Sequence, residues 1–260
     1  MNFKRIYAAF LRYFYCFAKL DYMTDLFYWP AIDILLWGMT SVWIQKQEGG
    51  ASDVALVILT GLVFWQIIWR SNYEITVNLL QEFWNRNLVN LFSTPLKLSE
   101  WMVATMGLGI LKIMVNVLFS SLLVYLLYAL NVFTVGWSFV PFMVSLTLSG
   151  WFIGYLSGGL IVYFGQRLQM LAWMTPYMFA PFSAVFYPVA VLPSWAQKIS
   201  YCLPTTYIFE GMRKVLNEGI FPMDMFLTSL ALNALFIALS MLFFTWLFEK
   251  SRNKGLARLE

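Results

Sequence analysis

Six apolar stretches, at residues 26–44, 54–69, 101–130, 140–164, 171–191 and 226–248, constrain this chain more than any other feature. Each is close to or beyond the length that carries an α-helix across the roughly 30 Å hydrocarbon core of a bilayer. The chain has 260 residues, of which 61% are hydrophobic and 12% charged, and its mean hydropathy is +0.70. That much apolar surface cannot be hidden in a water-soluble core, so lipid must be part of the solvent. The expected fold is an all-α polytopic membrane protein with six transmembrane helices in one domain, residues 1–260.

The basic residues orient the expected bundle. With six crossings both termini share a side. On that side fall Lys4, Arg5, Arg12, Lys19, Arg70, Arg86, Lys97, Arg167, Lys250, Arg252, Lys254 and Arg258, while only Lys46, Lys198, Arg213 and Lys214 fall opposite. By the positive-inside rule the termini, the loop 73–99 and the turn 165–169 are cytoplasmic, as suits a multi-pass protein of the cytoplasmic (inner) membrane. The formal charge of +4 follows these span ends and does not form a nucleic-acid patch. Met1 is followed by a basic, aromatic stretch without a compact apolar core, so no removable signal peptide is expected.

The absence of histidine removes Ser-His-Asp catalysis and histidine-ligated zinc, and no GxxxxGK[ST] loop is present for ATP. The chain is therefore not expected to be an enzyme or to hold a cofactor or metal of its own. Cys16 and Cys202 fall at different depths, so they are expected to be unpaired packing residues.

Three segments outside the simple spans carry most of the functional signal. In residues 1–22, Phe3, Phe10 and Phe17 recur every seven residues, as do Arg5, Arg12 and Lys19. A helix here would lie in the interface with rings in the acyl boundary and bases near headgroups; an irregular basic tail is the alternative. In residues 78–92, Val77, Leu80, Trp84, Leu88 and Leu91 alternate with Asn78, Glu82, Arg86 and Asn90, which predicts one amphipathic cytoplasmic helix. Its apolar side needs a partner, either headgroups or protein. Thr94-Pro95 stops it, and Ser99-Glu100 offers an N-cap and first-turn carboxylate to the next span. Residues 192–213, LPSWAQKISYCLPTTYIFEGMR, carry Pro193, Pro204, Lys198, Glu210 and Arg213 between two apolar runs. Broken, charged backbone at membrane depth predicts a re-entrant hairpin turning near Pro204. Trp195 and Tyr207 would plug an outer gate and Glu210–Arg213 would fix its depth; an immobile cap is the alternative.

Two stretches together resemble the type-2 family of ATP-binding-cassette exporter permeases. NRNLVNLFSTPLKLSEW looks like the family's helix, Thr-Pro-Leu turn and acidic residue opening the third span, and YPVAVLPSWAQKISYCLPTTYIFEGMR looks like its fifth-span exit. The resemblance implies a half-transporter. A second permease copy, in a homodimer or heterodimer, would complete the pathway, and separately encoded ATPase subunits would bind ATP and Mg. It maps the coupling helix to residues 78–92, with Glu82, Trp84, Arg86 and Leu88 facing the ATPase, and it maps the exit's charged pair to Glu210 and Arg213. The region after the second proline departs from many relatives, so substrate class does not carry over. A lipid, lipid-linked glycan or amphipathic drug would suit the chain.

Asp33 and Lys112 are the ionisable residues deepest in apolar sequence, as a paired bridge or as substrate contacts. Gly150, Gly154 and Gly158, four apart, would let another helix approach closely, within the chain or across a dimer. The other function classes are an ion-coupled secondary transporter, for which Asp33 alone speaks, and a membrane-embedded transferase, for which no acidic cluster appears.

Overall fold

A computed structural model describes residues 1–17, 20–47 and 54–254, without the side chains of residues 16, 17 and 20–22. The described residues form ten α-helices: α1 (Phe3–Phe17), α2 (Leu20–Gln47), α3 (Val54–Trp84), α4 (Leu88–Ser93), α5 (Leu98–Tyr128), α6 (Phe139–Phe164), α7 (Leu171–Phe179), α8 (Ser194–Ser200), α9 (Pro204–Glu218) and α10 (Met223–Asn253). Among them, four segments are long and apolar enough to cross a membrane: α3, α5, α6 with its flanking 3-10 turns, and α10.

The other two expected spans differ from these. The first lies within α2, whose 28 residues reach about 42 Å but also carry Asp25, Asp33 and Lys46. The stretch 171–191 is broken. After α7 come a 3-10 turn at Ala180–Phe182 and a left-handed Ala184 with φ 55, and a second turn at Val189–Val191 follows Pro188. Residues 192–213 form two helices, α8 and the start of α9, separated by residues 201–203, with Pro204 opening α9. A proline fits that first position, where its missing N–H is not needed.

α3 is the axis of the bundle and is buried along most of its length. Glycines let α6 lie against it: a Cβ on Gly150 would fall 2.6 Å from the Ile68 carbonyl oxygen, and one on Gly154 3.3 Å from Asn72 Cα. Gly158 faces Phe244 of α10. The glycine stripe therefore serves packing inside the chain. α10 is tied to α6 by buried polar bonds, Ser145–Ser229 at 2.7 Å and Asn233 Nδ2 donating to the Ser145 carbonyl at 3.0 Å. In an apolar surround such bonds give two greasy helices a fixed register.

Two cores occupy the ends of α3. At the end bearing both termini, Tyr13, Phe83, Leu88, Trp101, Phe244 and Phe248 pack together. At the opposite end, Phe64, Val135, Phe142, Val185, Ile208 and Met212 do so. Cys202 is exposed, not packed as expected, and the side chain of Cys16 lies outside the described residues.

Candidate functional site

The stretch 78–92 is not one helix. α3 runs straight on through it to Trp84, because no glycine or proline follows Trp69 to stop it. The stop is a backbone motif. Arg86 N–H bonds the Phe83 carbonyl and Asn87 N–H the Glu82 carbonyl, with Arg86 left-handed at φ 49. This is the pattern of a helix ended by a left-handed residue, a place usually given to glycine. α4 then starts after Asn87, and Leu91 N–H closes its first turn on the Asn87 carbonyl at 2.9 Å. Residues 84–87 thus form an elbow.

The four residues expected to face a partner divide at this elbow. Trp84 is 46% exposed and Arg86 is exposed, whereas Glu82 and Leu88 are buried. Glu82 points inward and accepts from three side chains: Arg12 at 2.7 and 2.8 Å, Tyr13 Oη at 2.8 Å and Asn87 Nδ2 at 2.6 Å. Trp101 Nε1 donates to Tyr13 Oη at 2.7 Å. Burial, with Glu82 beside it, pushes the Tyr13 phenol up, so Tyr13 stays neutral and donates. One carboxylate thereby joins α1, the elbow and, through Tyr13, α5. Trp84 reaches the other way, donating to Gln169 Oε1 at 3.2 Å and stacking on Trp173 of α7.

The basic stripe of α1 has partners within the protein. Arg12 grips Glu82, and Arg5 donates to the Pro95 carbonyl at 2.6 Å and lies 3.7 Å from Glu100. Arg5 and Arg12 thus reach carboxylates of the protein while each leaves more than a third of its side chain exposed; Lys19 lies outside the described residues. Glu100 also accepts from Asn2 N–H at 2.7 Å and Lys97 N–H at 3.0 Å. The cap of α5 is Lys97, and Ser99 sits within the first turn.

Deeper in the bundle, Lys112 is not bridged to Asp33. Its Nζ lies 2.7 Å from Glu74 Oε2, and Arg70 lies between Glu74 at 3.7 Å and Asp25 at 3.3 Å. The apolar run ends at Trp69, which places Arg70 and Glu74 toward the loop, yet α3 carries both on into the buried bundle. The signal that could have found them is their spacing, four apart on a helix with no breaker after it. Asp33, half-buried on α2, lines a cavity with Arg70, Trp65 and Tyr177.

At the opposite end the Glu210–Arg213 pair is formed at 3.1 Å. Glu210 accepts from Val189 N–H at 2.6 Å and Arg213 reaches the Val185 carbonyl at 3.5 Å, so the pair pins the broken strand of chain after α7. Pro204 is buried and its carbonyl accepts from Ser229 at 2.7 Å. Trp195 is 62% exposed and packs edge-on to Phe182, while Tyr207 donates to the Tyr201 carbonyl at 2.8 Å. No ring contact joins Trp195 to Tyr207 among the described residues.

No curated protein matches the chain. The family model described as ABC-2 type transporter matches residues 19–217, from α2 through the elbow to the end of α9. With its apolar helices, the chain therefore belongs to the ABC-2 type transporter family as a membrane-embedded permease subunit.

Proposed function

We propose that the chain is the transmembrane half of an ATP-driven exporter, with both termini cytoplasmic in the inner membrane. A separately encoded ATPase subunit, holding ATP and Mg, docks on the elbow, and a second copy of this chain completes the pathway as a homodimer. The cargo is a lipid, lipid-linked glycan or amphipathic drug. The observation that carries this reading is the elbow, where Trp84 and Arg86 face outward while Glu82 behind them holds α1 and the elbow directly and α5 through Tyr13. Closure of an ATPase pair would press on Trp84 and Arg86. The push would pass through Glu82 to α1 and α5, and through Trp84 to Gln169 and Trp173. ATP shifts the bundle only by as much as it binds the two states differently. α8 and α9 form the outer gate, with Trp195 and Tyr207 at its surface and Glu210–Arg213 fixing its depth.

The test replaces Trp84 or Arg86 by Ala and measures association of the ATPase and its substrate-stimulated hydrolysis in membranes. Both should fall about tenfold, the loss of one well-placed interface anchor, while insertion stays normal. Unchanged association in both variants overturns the docking site. Asp33 favours a second reading, an ion-coupled secondary transporter, in which transport would follow a proton gradient and ignore ATP.

A further inference from the structure

Midway along α3, a cavity of about 130 Å³ opens between α2, α3, α5 and α7. Gln66, Trp69 and Arg70 share one face of α3 and line it, and Gln66 Nε2, Trp69 Nε1 and Arg70 Nε are buried without a hydrogen-bond partner among the described residues. The amide of Gln66 has its oxygen engaged by Ser120 Oγ at 2.8 Å, which leaves the nitrogen as a donor. These donors are shielded even from the cavity's own space, so each would have to turn into it to meet an acceptor, and none has a partner to give up by doing so. Asn116 Oδ1, on the α5 wall, is likewise unpartnered.

The opposite wall is acidic and aromatic. Asp33 has no ion pair among the described residues and stands with Trp29 of α2 and Tyr177 of α7, while Trp65 of α3 also lines the space. Among the described residues, Arg70 and Lys112 are engaged by Asp25 and Glu74, and neither base forms an ion pair with Asp33. A carboxylate beside indole and phenol rings attracts an organic cation, through charge and through the ring faces. The space is close to that of an engineered cavity of about 150 Å³ that admits benzene, so it suits a headgroup and not a whole amphipath. Trp29 and Tyr177, each more than half exposed, leave room for a tail to pass outward.

We propose that this cavity binds the head of an amphipathic organic cation carrying an acceptor group close to its charge. Asp33 and the rings hold the cation, and the unpartnered N–H groups of Gln66, Trp69 and Arg70 turn inward to donate to the acceptor. That such a molecule is cargo rests on the exporter reading; that it binds here does not. The full chain in lipid nanodiscs is titrated with lauroylcholine, whose ester carbonyl lies near a quaternary nitrogen, and with its neutral isostere in which carbon replaces that nitrogen. Lauroylcholine should bind saturably, about one per chain above empty discs, and the isostere about tenfold or more weaker, as for a lost charge-assisted contact. Asp33→Asn should weaken lauroylcholine by a similar factor, and Trp29→Ala, at the exposed rim where folding is safe, by about threefold. Gln66→Leu should weaken lauroylcholine but not dodecyltrimethylammonium, which has no acceptor. Equal binding of the isostere, or indifference to both Asp33→Asn and Trp29→Ala, overturns the proposal. Binding here with no ATP-driven movement of any amphipath in the assembled complex would keep this site and sink the exporter reading; ATP-driven movement of another amphipath without binding here would do the reverse.

Discussion

Glu82, at the terminus-bearing end, holds Arg12 and Tyr13 of α1 and Asn87 of the elbow, whereas Glu210, at the opposite end, holds, among the described residues, only Arg213 of its own helix and the backbone at Val189. The first carboxylate is sealed and spans 70 residues of sequence to Arg12; the second is partly open and local. Where elements must move as one, a shared buried charge makes any one of them costly to displace alone. At the α8–α9 end the charged pair is local, and hydroxyl bonds such as Ser183–Thr205 at 2.8 Å accompany it. A force applied at the elbow would thus be carried by several helices together, whereas α9 is held mainly by the apolar packing of Ile208, Phe209 and Met212.

The largest effect should come from the buried charges on the terminus side of the cavity. Lys112→Met leaves Glu74 underpaired in a sealed site and should cost about 3–5 kcal/mol in reversible unfolding in mild detergent. Adding Glu74→Leu should recover about 1–3 kcal/mol of that loss relative to additivity, while Lys112→Met with Asp33→Asn should stay additive within about 0.5 kcal/mol. Strong coupling to Asp33 would refute the assignment of Lys112 to Glu74.

Glu82→Ala should cost about 2–3 kcal/mol, less than a fully sealed pair because Arg12 keeps 40% of its side chain in solvent and can rehydrate. It should also release α1, read as faster hydrogen exchange across residues 3–17. Glu210→Ala should cost only about 1 kcal/mol, with its exchange effect confined to the chain around residues 185–191. If the two carboxylates prove equal in both cost and reach, the contrast between the ends is wrong.

How much of this was legible follows from which contacts are local. The apolar runs show the helical class directly, and the four-residue glycine period shows a close approach, because both depend on neighbours along one helix. Sequence did not show whether that approach was internal. The partner of Lys112 lies 38 residues away, so no spacing rule names Glu74. α1 was legible as a helix with a basic stripe, but its destination was not, since lipid phosphates and buried carboxylates attract arginine alike. The broken stretch after α7 hides among apolar residues: Ala184 turns left-handed without a glycine to announce it.

The elbow hid for the same reason, and Arg86 supplies the smallest and most discriminating test. An L-residue in the left-handed region is strained by roughly 1 kcal/mol relative to glycine, which adopts it freely. Arg86→Gly should therefore leave the fold intact and raise stability by up to about 1 kcal/mol, whereas Arg86→Ala keeps the strain and should change stability little. If the strained arginine is there for its guanidinium, both variants should lose ATPase association to the same degree although one is more stable than the other. If the left-handed bend itself is what a partner reads, Arg86→Gly should retain association and Arg86→Ala should also retain most of it. Measuring unfolding and pull-down on the same two preparations separates these outcomes. A glycine variant that is both destabilised and poorly bound would show that Arg86 has structural contacts at the elbow, and the division between an outward-facing Arg86 and an inward-facing Glu82 would fail with it.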